Sequence, residues 1–371
     1  MLISVKQMKK YTIKDIDVFV MTRNRADFLR ETLSSVLNQT IRPDVITVFD
    51  NESTDNTRDV VRQFRDKAVL YVKTTGRLGN FLAMQKRSSR PFVVHLHDDN
   101  LLHPDYFEKV LKALNIIDNV AGVTGAYTYF KYSPEGQYLI SNGYRLLDDF
   151  LILEDRQSFT IHKIRAESPP YDTIVDNIGA LVYRSDYFRQ RESMTHKYGK
   201  GDDLEVCMSL LSYGKLVTVT DRNSVFVREH AKRDVNVDDN SMTLEQAFNW
   251  LGLYIDSARQ VKSRRFWRQF ISMIYTQYPY FVKRAVYKAI PTRDFCVKVM
   301  EHFALSGYAE EVFRSYLSRK IPMLQHEEFV DECDGLPRAK TSFWPLRQIG
   351  KWILPYNLVL ILRRFMLRHH I

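Results

Sequence analysis

The sequence is poor in cysteine and has no long apolar run. Its 371 residues include three cysteines, Cys207, Cys296 and Cys333, far apart and in no CxxC or His/Cys ligand spacing. That pattern excludes a disulfide framework and a structural zinc site, and it fits a reducing compartment. No apolar stretch reaches the roughly 18 residues of a membrane-spanning helix, so none is predicted. The longest candidate, Trp352 to Leu362, is short and contains Pro355 and Asn357. Residues 1–14 have no apolar stretch of signal-peptide length. Glycine is missing from residues 1–75. A P-loop or a GxGxxG phosphate cradle would have to sit there, just after the first strand, so both are excluded.

Acid is scarce at the other end. Residues 1–239 carry 34 Lys and Arg against 33 Asp and Glu, whereas residues 240–371 carry 20 against 11. Residues 343–371 have Arg347, Lys351, Arg363, Arg364 and Arg368 and no acid at all, interleaved with Trp344, Trp352, Tyr356 and Phe365. A basic segment with aromatics suits the headgroup region of an anionic membrane. Its bland alternative is a helix packed on the protein itself. Nucleic acid is the rival polyanion, and no nucleic-acid motif accompanies the charge, so no nucleic-acid partner is expected.

What is present, in the first two thirds, is an alternation of strand and helix patterns. Apolar runs at 16–21, 45–49, 69–72, 92–96 and 120–130 read as strands. Helical periodicity over 27–39, 80–87 and 104–117 separates them, and Asp55 is placed to cap a further short helix. Such alternation predicts a parallel sheet with right-handed crossovers. Residues 131–175 break the rhythm and read as an insertion or lid. Strand character returns at 178–183 and 216–220, with a helix from Asp202 between them. A polar stretch at 231–243 is the best linker. Beyond it the pattern is helical over 244–260, 265–289, 294–306 and 309–320. The aromatic stripes on those helices read as core. The predicted organisation is a catalytic domain at 1–239, a helical domain at 240–325, and a linker with a basic tail at 326–371.

Three acidic clusters stand out. Asp50-Asn51-Glu52-Ser53-Thr54-Asp55 and His97-Asp98-Asp99-Asn100 each follow an apolar run, and Gly201-Asp202-Asp203-Leu204-Glu205 opens a helix. The C-terminal ends of buried strands are where α/β sheets bind ligands. Carboxylates there repel a bare phosphate, so the site calls for a divalent cation between protein and phosphate, or for a sugar and base to hydrogen-bond. Asp202 and Glu205 also fit a capping box.

The segments Ile16 to Arg25, Leu33 to Thr40 and Val48 to Thr57, followed by His97-Asp98-Asp99 and Gly201-Asp202-Asp203, resemble family 2 glycosyltransferases of the GT-A fold. The likeness covers roughly residues 14–235. It implies a GT-A-like mixed α/β sheet flanked by helices, and transfer of a sugar from a nucleoside diphosphate sugar, UDP-sugars first, to a glycan or lipid-linked glycan. It places Thr22, Arg23 and Asn24 against the nucleoside, with Asp50 accepting from the base. Arg77 replaces the Asn of the family's Asn-Leu-Gly turn and faces the diphosphate. His97 stands where the family has the first Asp of its metal motif, Asp98 joins the donor site, and Asp99 is the expected ligand for Mn²⁺ or Mg²⁺. Imidazole from His97 leans the choice toward Mn²⁺. His95, two residues earlier, reads as a core histidine bonded to backbone. Asp203 is the expected general base of an inverting transfer. The stretch Val227-Arg228-Glu229-His230 is similar to the family's Tyr-Arg-x-His, with His230 toward the metal and Arg228 toward the leaving group. The competing readings are a nucleotidyltransferase or a non-catalytic sugar-nucleotide-binding protein. The expected location is cytoplasmic, peripheral at the inner face of the cytoplasmic membrane.

Overall fold

The structure is a computed structural model. It describes residues 10–76, 78–132, 138–140, 150–167, 178–191, 202–220, 224–228, 230, 243–281, 290 and 292–318. Residues 1–320 form one compact unit and residues 321–371 a second. The second unit, with the expected basic tail, lies outside the described residues, as do Arg77 and residues 231–242 of the expected linker.

Strands β1 (Ile16–Thr22), β2 (Ile46–Asn51), β3 (Val69–Thr74) and β4 (Phe92–His97) run parallel in the order β3-β2-β1-β4. Helices α1 (Ala26–Leu37), α2 (Thr57–Arg62) and α3 (Gly79–Arg87) are their crossovers. The sheet continues through β10 (Val182–Arg184), β6 (Val120–Gly125), β11 (Lys215–Val219) and β9 (Phe150–Leu153) to eight strands. Because β10 and β9 run antiparallel to their neighbours, the sheet is mixed. A second sheet has the order β5 (Asn100–Leu102), β12 (Val225–Arg228), β7 (Tyr127–Tyr132), β8 (Tyr138–Ile140).

Side chains alternate across a strand, so β1 serves two cores. Val18 and Val20 pack with Leu29 and Leu33 of α1, and with Val110 of α4 (Tyr106–Ile116). Phe19 faces the other way, onto Phe49 and Val93. Fully burying each such side chain stabilises the fold by about 1.5–3 kcal/mol.

The apolar run at 120–130 is two strands, not one. At Ala126 the chain passes from one sheet to the other. The Ala126 amide donates to Val219, and its carbonyl accepts from Ser224 and Val225. Gly125 is required at this crossing, since a Cβ there would lie 2.7 Å from the Ser224 Cβ. The segment expected as a lid also supplies β9 and α5 (Arg156–Glu167), whose Phe159 and Ile164 are buried in the core. The strand expected at 178–183 begins as a tight 3₁₀ turn at Ile178–Ala180. Among the described side chains, most aromatics of α8 (Leu244–Ala258), α9 (Arg264–Phe281) and the helices Thr292–His302 and Gly307–Ser318 are core. Trp250, Tyr254, Trp267, Phe270, Phe295 and Phe313 join the same cluster as Phe159 and as Leu204 of α7 (Asp202–Leu210). No helix among the described residues is long and apolar enough to cross a membrane.

Candidate active site

The sheet order β2-β1-β4 fixes what the site contains. The parallel register sets Thr22 opposite Asp50, and Met21 opposite His97. The C-terminal ends of three adjacent strands therefore bring Asp50, Thr22 and His97 together, with Asp98 and Asp99 in the turn that follows β4.

Asp98 is buried, and both of its oxygens have donors. The Thr22 hydroxyl donates to Oδ2 at 2.7 Å and Arg25 Nη1 to Oδ1 at 3.0 Å. Burial pushes its carboxyl up to about 6, against the pull of Arg25 and Thr22. Asp99 lies beside it, with Oδ2 at 3.4 Å from Arg25 Nη1 and 3.0 Å from His230 Nε2. Burial acts to raise this carboxyl too, but His97, His230 and Arg25 outweigh it and hold Asp99 below the usual carboxylate range. The turn that carries both residues is pinned from α1. The buried Thr32 hydroxyl bridges the carbonyls of Asp98 and Asn100 at 2.8 and 2.9 Å.

The neighbouring edge belongs to Asp50. Its Oδ1 accepts from the Ser53 amide at 3.1 Å and its Oδ2 from the Tyr71 hydroxyl at 2.7 Å. Burial, then Asp50 itself, pushes the Tyr71 hydroxyl up to about 12. Asn24 ties this loop to the one after β1. Its side-chain oxygen accepts from the Thr54 amide at 2.7 Å, and its own amide donates to the Ser53 hydroxyl at 2.8 Å. The φ of Asn24 is +53°, in the left-handed region that asparagine tolerates. Asp55 accepts from the amides of Ala26 and Thr57, so one carboxylate serves the starts of α1 and α2. Arg23 is exposed at the open side of this edge.

His230 follows β12 and lies against Phe28, ring centroids 4.5 Å apart and planes tilted by 53°. Arg228 is almost wholly buried. Its guanidinium lies between the rings of Phe28 and Phe130, 4.7 Å from each, and donates to Glu31 Oε2 at 2.7 Å. It braces α1 against the second sheet and backs Phe28, on which His230 rests. Asp203 sits at the second position of α7 and is half-buried. His95 bonds the Tyr183 hydroxyl at 2.6 Å rather than backbone, and burial pushes its imidazole down to about 3, so it is a neutral core residue.

Arg25, Tyr71 and Thr32 were not singled out from sequence. Arg25 did carry a signal, since a cation at a helix N-terminus opposes the helix dipole and points to a carboxylate partner.

Residues 17–190 match the model of glycosyl transferase family 2. The chain carries a family 2 glycosyltransferase domain. It is 28% identical over 105 residues to an uncharacterized glycosyltransferase of Rickettsia typhi, covering 28% of this chain and 33% of that protein. It is 32% identical over 105 residues to validoxylamine A glucosyltransferase of Streptomyces hygroscopicus subsp. limoneus, covering 26% of this chain and 23% of that one. The match thus spans a third or less of these relatives' length. Among solved structures, S. aureus TarS 1–349 in complex with UDP-GlcNAc is similar at 12% identity with a TM-score of 0.50, over 81% of this chain and 84% of that one. That likeness concerns the fold, and the glycosyltransferase domain here has the GT-A-like mixed α/β architecture.

Proposed function

We propose that the protein is a glycosyltransferase that moves a sugar from a nucleoside diphosphate sugar, UDP-sugars first, to a hydroxyl of a glycan or lipid-linked glycan. The observation that carries this reading is the Asp99–His230 pair held beside the Thr22–Asp50 edge, at the end of three parallel strands. In this reading Thr22, Arg23, Asn24 and Asp50 receive the nucleoside, and Tyr71 orients Asp50. Asp98 fixes the turn of the donor site, and the family resemblance assigns Arg77 to the diphosphate. Asp203 takes the proton of the acceptor hydroxyl as its oxygen bonds the anomeric carbon and the bond to the diphosphate oxygen breaks. Inversion is what the family resemblance implies.

Asp99 and His230, with His97 near them, fit a divalent cation. Asp99 Oδ2 and His230 Nε2 lie within hydrogen-bond distance at 3.0 Å, and a carboxylate oxygen with an imidazole nitrogen is a donor pair that divalent cations take. Among the described residues no three His, Cys, Asp or Glu converge on one point. A site of one carboxylate and imidazole leaves the remaining positions to diphosphate and water, the usual arrangement for Mg²⁺ or Mn²⁺. When bound, the cation supplies charge to the leaving diphosphate. Arg228 acts behind it by holding Phe28 against His230. The acid-free segment 343–371 supports contact with an anionic membrane surface. It suits a peripheral enzyme at the inner face of the cytoplasmic membrane, with a lipid-linked acceptor.

The test is a thermal-shift panel of UDP, dTDP, GDP, CDP and ATP, each with and without Mn²⁺. A ligand at 100 times its Kd adds about 2.7 kcal/mol. A Mn²⁺-dependent shift with one diphosphate is expected. A shift with ATP alone, or with none, sinks the reading. With the donor so found, Asp203→Asn is expected to keep the shift and to lose turnover by about 10²-fold or more. Transfer at the wild-type rate removes Asp203 as base.

A further inference from the structure

Arg25 is placed where a cation answers two carboxylates at once. Its side chain is 15% exposed, against 2% for Asp98 and 9% for Asp99. Two adjacent buried carboxylates repel, and an arginine between them relieves that repulsion. The grip is uneven. One nitrogen, Nη1, makes both contacts, at 3.0 Å to Asp98 and 3.4 Å to Asp99. A single shared nitrogen is a weaker link than the two-pronged arginine–carboxylate fork. Asp98 also holds Thr22 at 2.7 Å, so its place is fixed by two donors. Asp99 has the long arginine contact and the imidazole of His230. Of Arg25's contacts with these two carboxylates, the weaker therefore falls on the one that the proposed function assigns to the metal.

A divalent cation on Asp99 and the Arg25 guanidinium are like charges competing for one oxygen. We propose that Arg25 is a resident counter-cation that masks Asp99 in the donor-free protein and retreats onto Asp98 when the metal arrives with the diphosphate. This inference rests on the metal reading above. It assigns Arg25 as a positioning residue that makes metal binding conditional on the donor, because the diphosphate brings the negative charge that lets both cations stay. The chain remains charge-neutralised and folded without metal, with Thr22 and Arg25 still on Asp98.

The experiment is a Mn²⁺ titration of the full chain followed by the EPR signal of free Mn²⁺, with and without UDP. Arg25→Met is expected to bind Mn²⁺ in the absence of UDP at least about tenfold more tightly than wild type. Its gain on adding UDP should shrink to match. Arg25→Gln, which keeps a hydrogen-bonding head for Asp98, is expected to show the same rise. Arg25→Lys, which keeps the charge, should stay near wild type. Damage to the fold weakens binding, so a tighter site cannot come from a merely structural role. An unchanged or weaker Mn²⁺ affinity in both neutral variants overturns the proposal, and so does an equal rise in Arg25→Lys. The metal reading itself fails by a different sign. If wild type with UDP takes up no Mn²⁺, or takes it up equally after Asp99→Asn, that reading goes and this inference with it.

Discussion

Asp98 and Asp99 are neighbours in one turn, yet their surroundings give them different work. Burial raises Asp98 to about 6 while Thr22 and Arg25 fix both its oxygens. Asp99 stays below the usual carboxylate range, held there by His97, His230 and Arg25. Their amide variants should therefore separate. Asp98→Asn turns one oxygen into a donor facing Thr22 or Arg25, and should destabilise the fold by about 1–3 kcal/mol. It should still show a Mn²⁺-dependent nucleotide shift, at higher Mn²⁺ concentration, because Arg25 loses the charge it retreats to. Asp99→Asn should do the reverse, with a smaller change in the urea midpoint and no Mn²⁺-dependent shift. Equal behaviour of the two variants in both measurements would refute this division. Much of the site was legible in the sequence at this scale, because acids at the ends of apolar runs mark strand ends. Arg25 and Tyr71 were less so. Their partners stand 73 and 21 residues away, and only the strand order brings them together.

Among the elements, the parallel half of the sheet could be read from periodicity because its strands are covered on both faces and follow their helices. What escaped was the second sheet. Strands β5 and β12 are three and four residues long, too short for a pattern, and their pairing depends on the crossing at Ala126. The far end of the parallel strands has its own fastening. Arg90 grips Asp44 through both terminal nitrogens at 2.7 and 2.9 Å and donates to the Ile16 carbonyl, joining the entries of β4, β1 and β2. The Arg90 hydrogen bond holds the Asp44 carboxyl below its ordinary 3.8. A carboxyl lowered on folding stabilises the protein above its unfolded pKa. That contribution is lost as pH falls through the folded value, so the window lies below about pH 3.8. Urea midpoints measured at steps between about pH 5 and pH 2.5 should fall less steeply in Asp44→Asn than in wild type, and the variant should be the less stable at neutral pH. Parallel curves in the acid window would show that Asp44 carries none of the acid sensitivity.

For the whole molecule, charge and core divide the chain at different places. Charge divides it near residue 240, with 20 Lys and Arg against 11 acids beyond that point. The core does not stop there. Trp250, Tyr254, Trp267 and Phe270 lie in one cluster with Phe159, Leu204 and Met208 from the preceding part of the chain. Aromatic burial on this scale dominates core energetics, and removing it leaves an exposed apolar face. Composition revealed the basic C-terminal part, but not that its helices complete the core of the part before it, because a helical stripe does not name the surface it covers. Two truncations separate the two divisions. A chain ending at residue 342 should unfold cooperatively in urea with a midpoint close to that of the full chain. It should also sediment less with vesicles containing anionic lipid. A chain ending at residue 239 should be insoluble, or lose its near-UV circular dichroism and bind ANS, since α5 loses α8 and α9, which pack on it. Cooperative unfolding of residues 1–239 alone would mean that the shared core is dispensable. Unchanged vesicle sedimentation of residues 1–342 would remove the membrane from the proposed function while leaving the sugar-transfer site untouched.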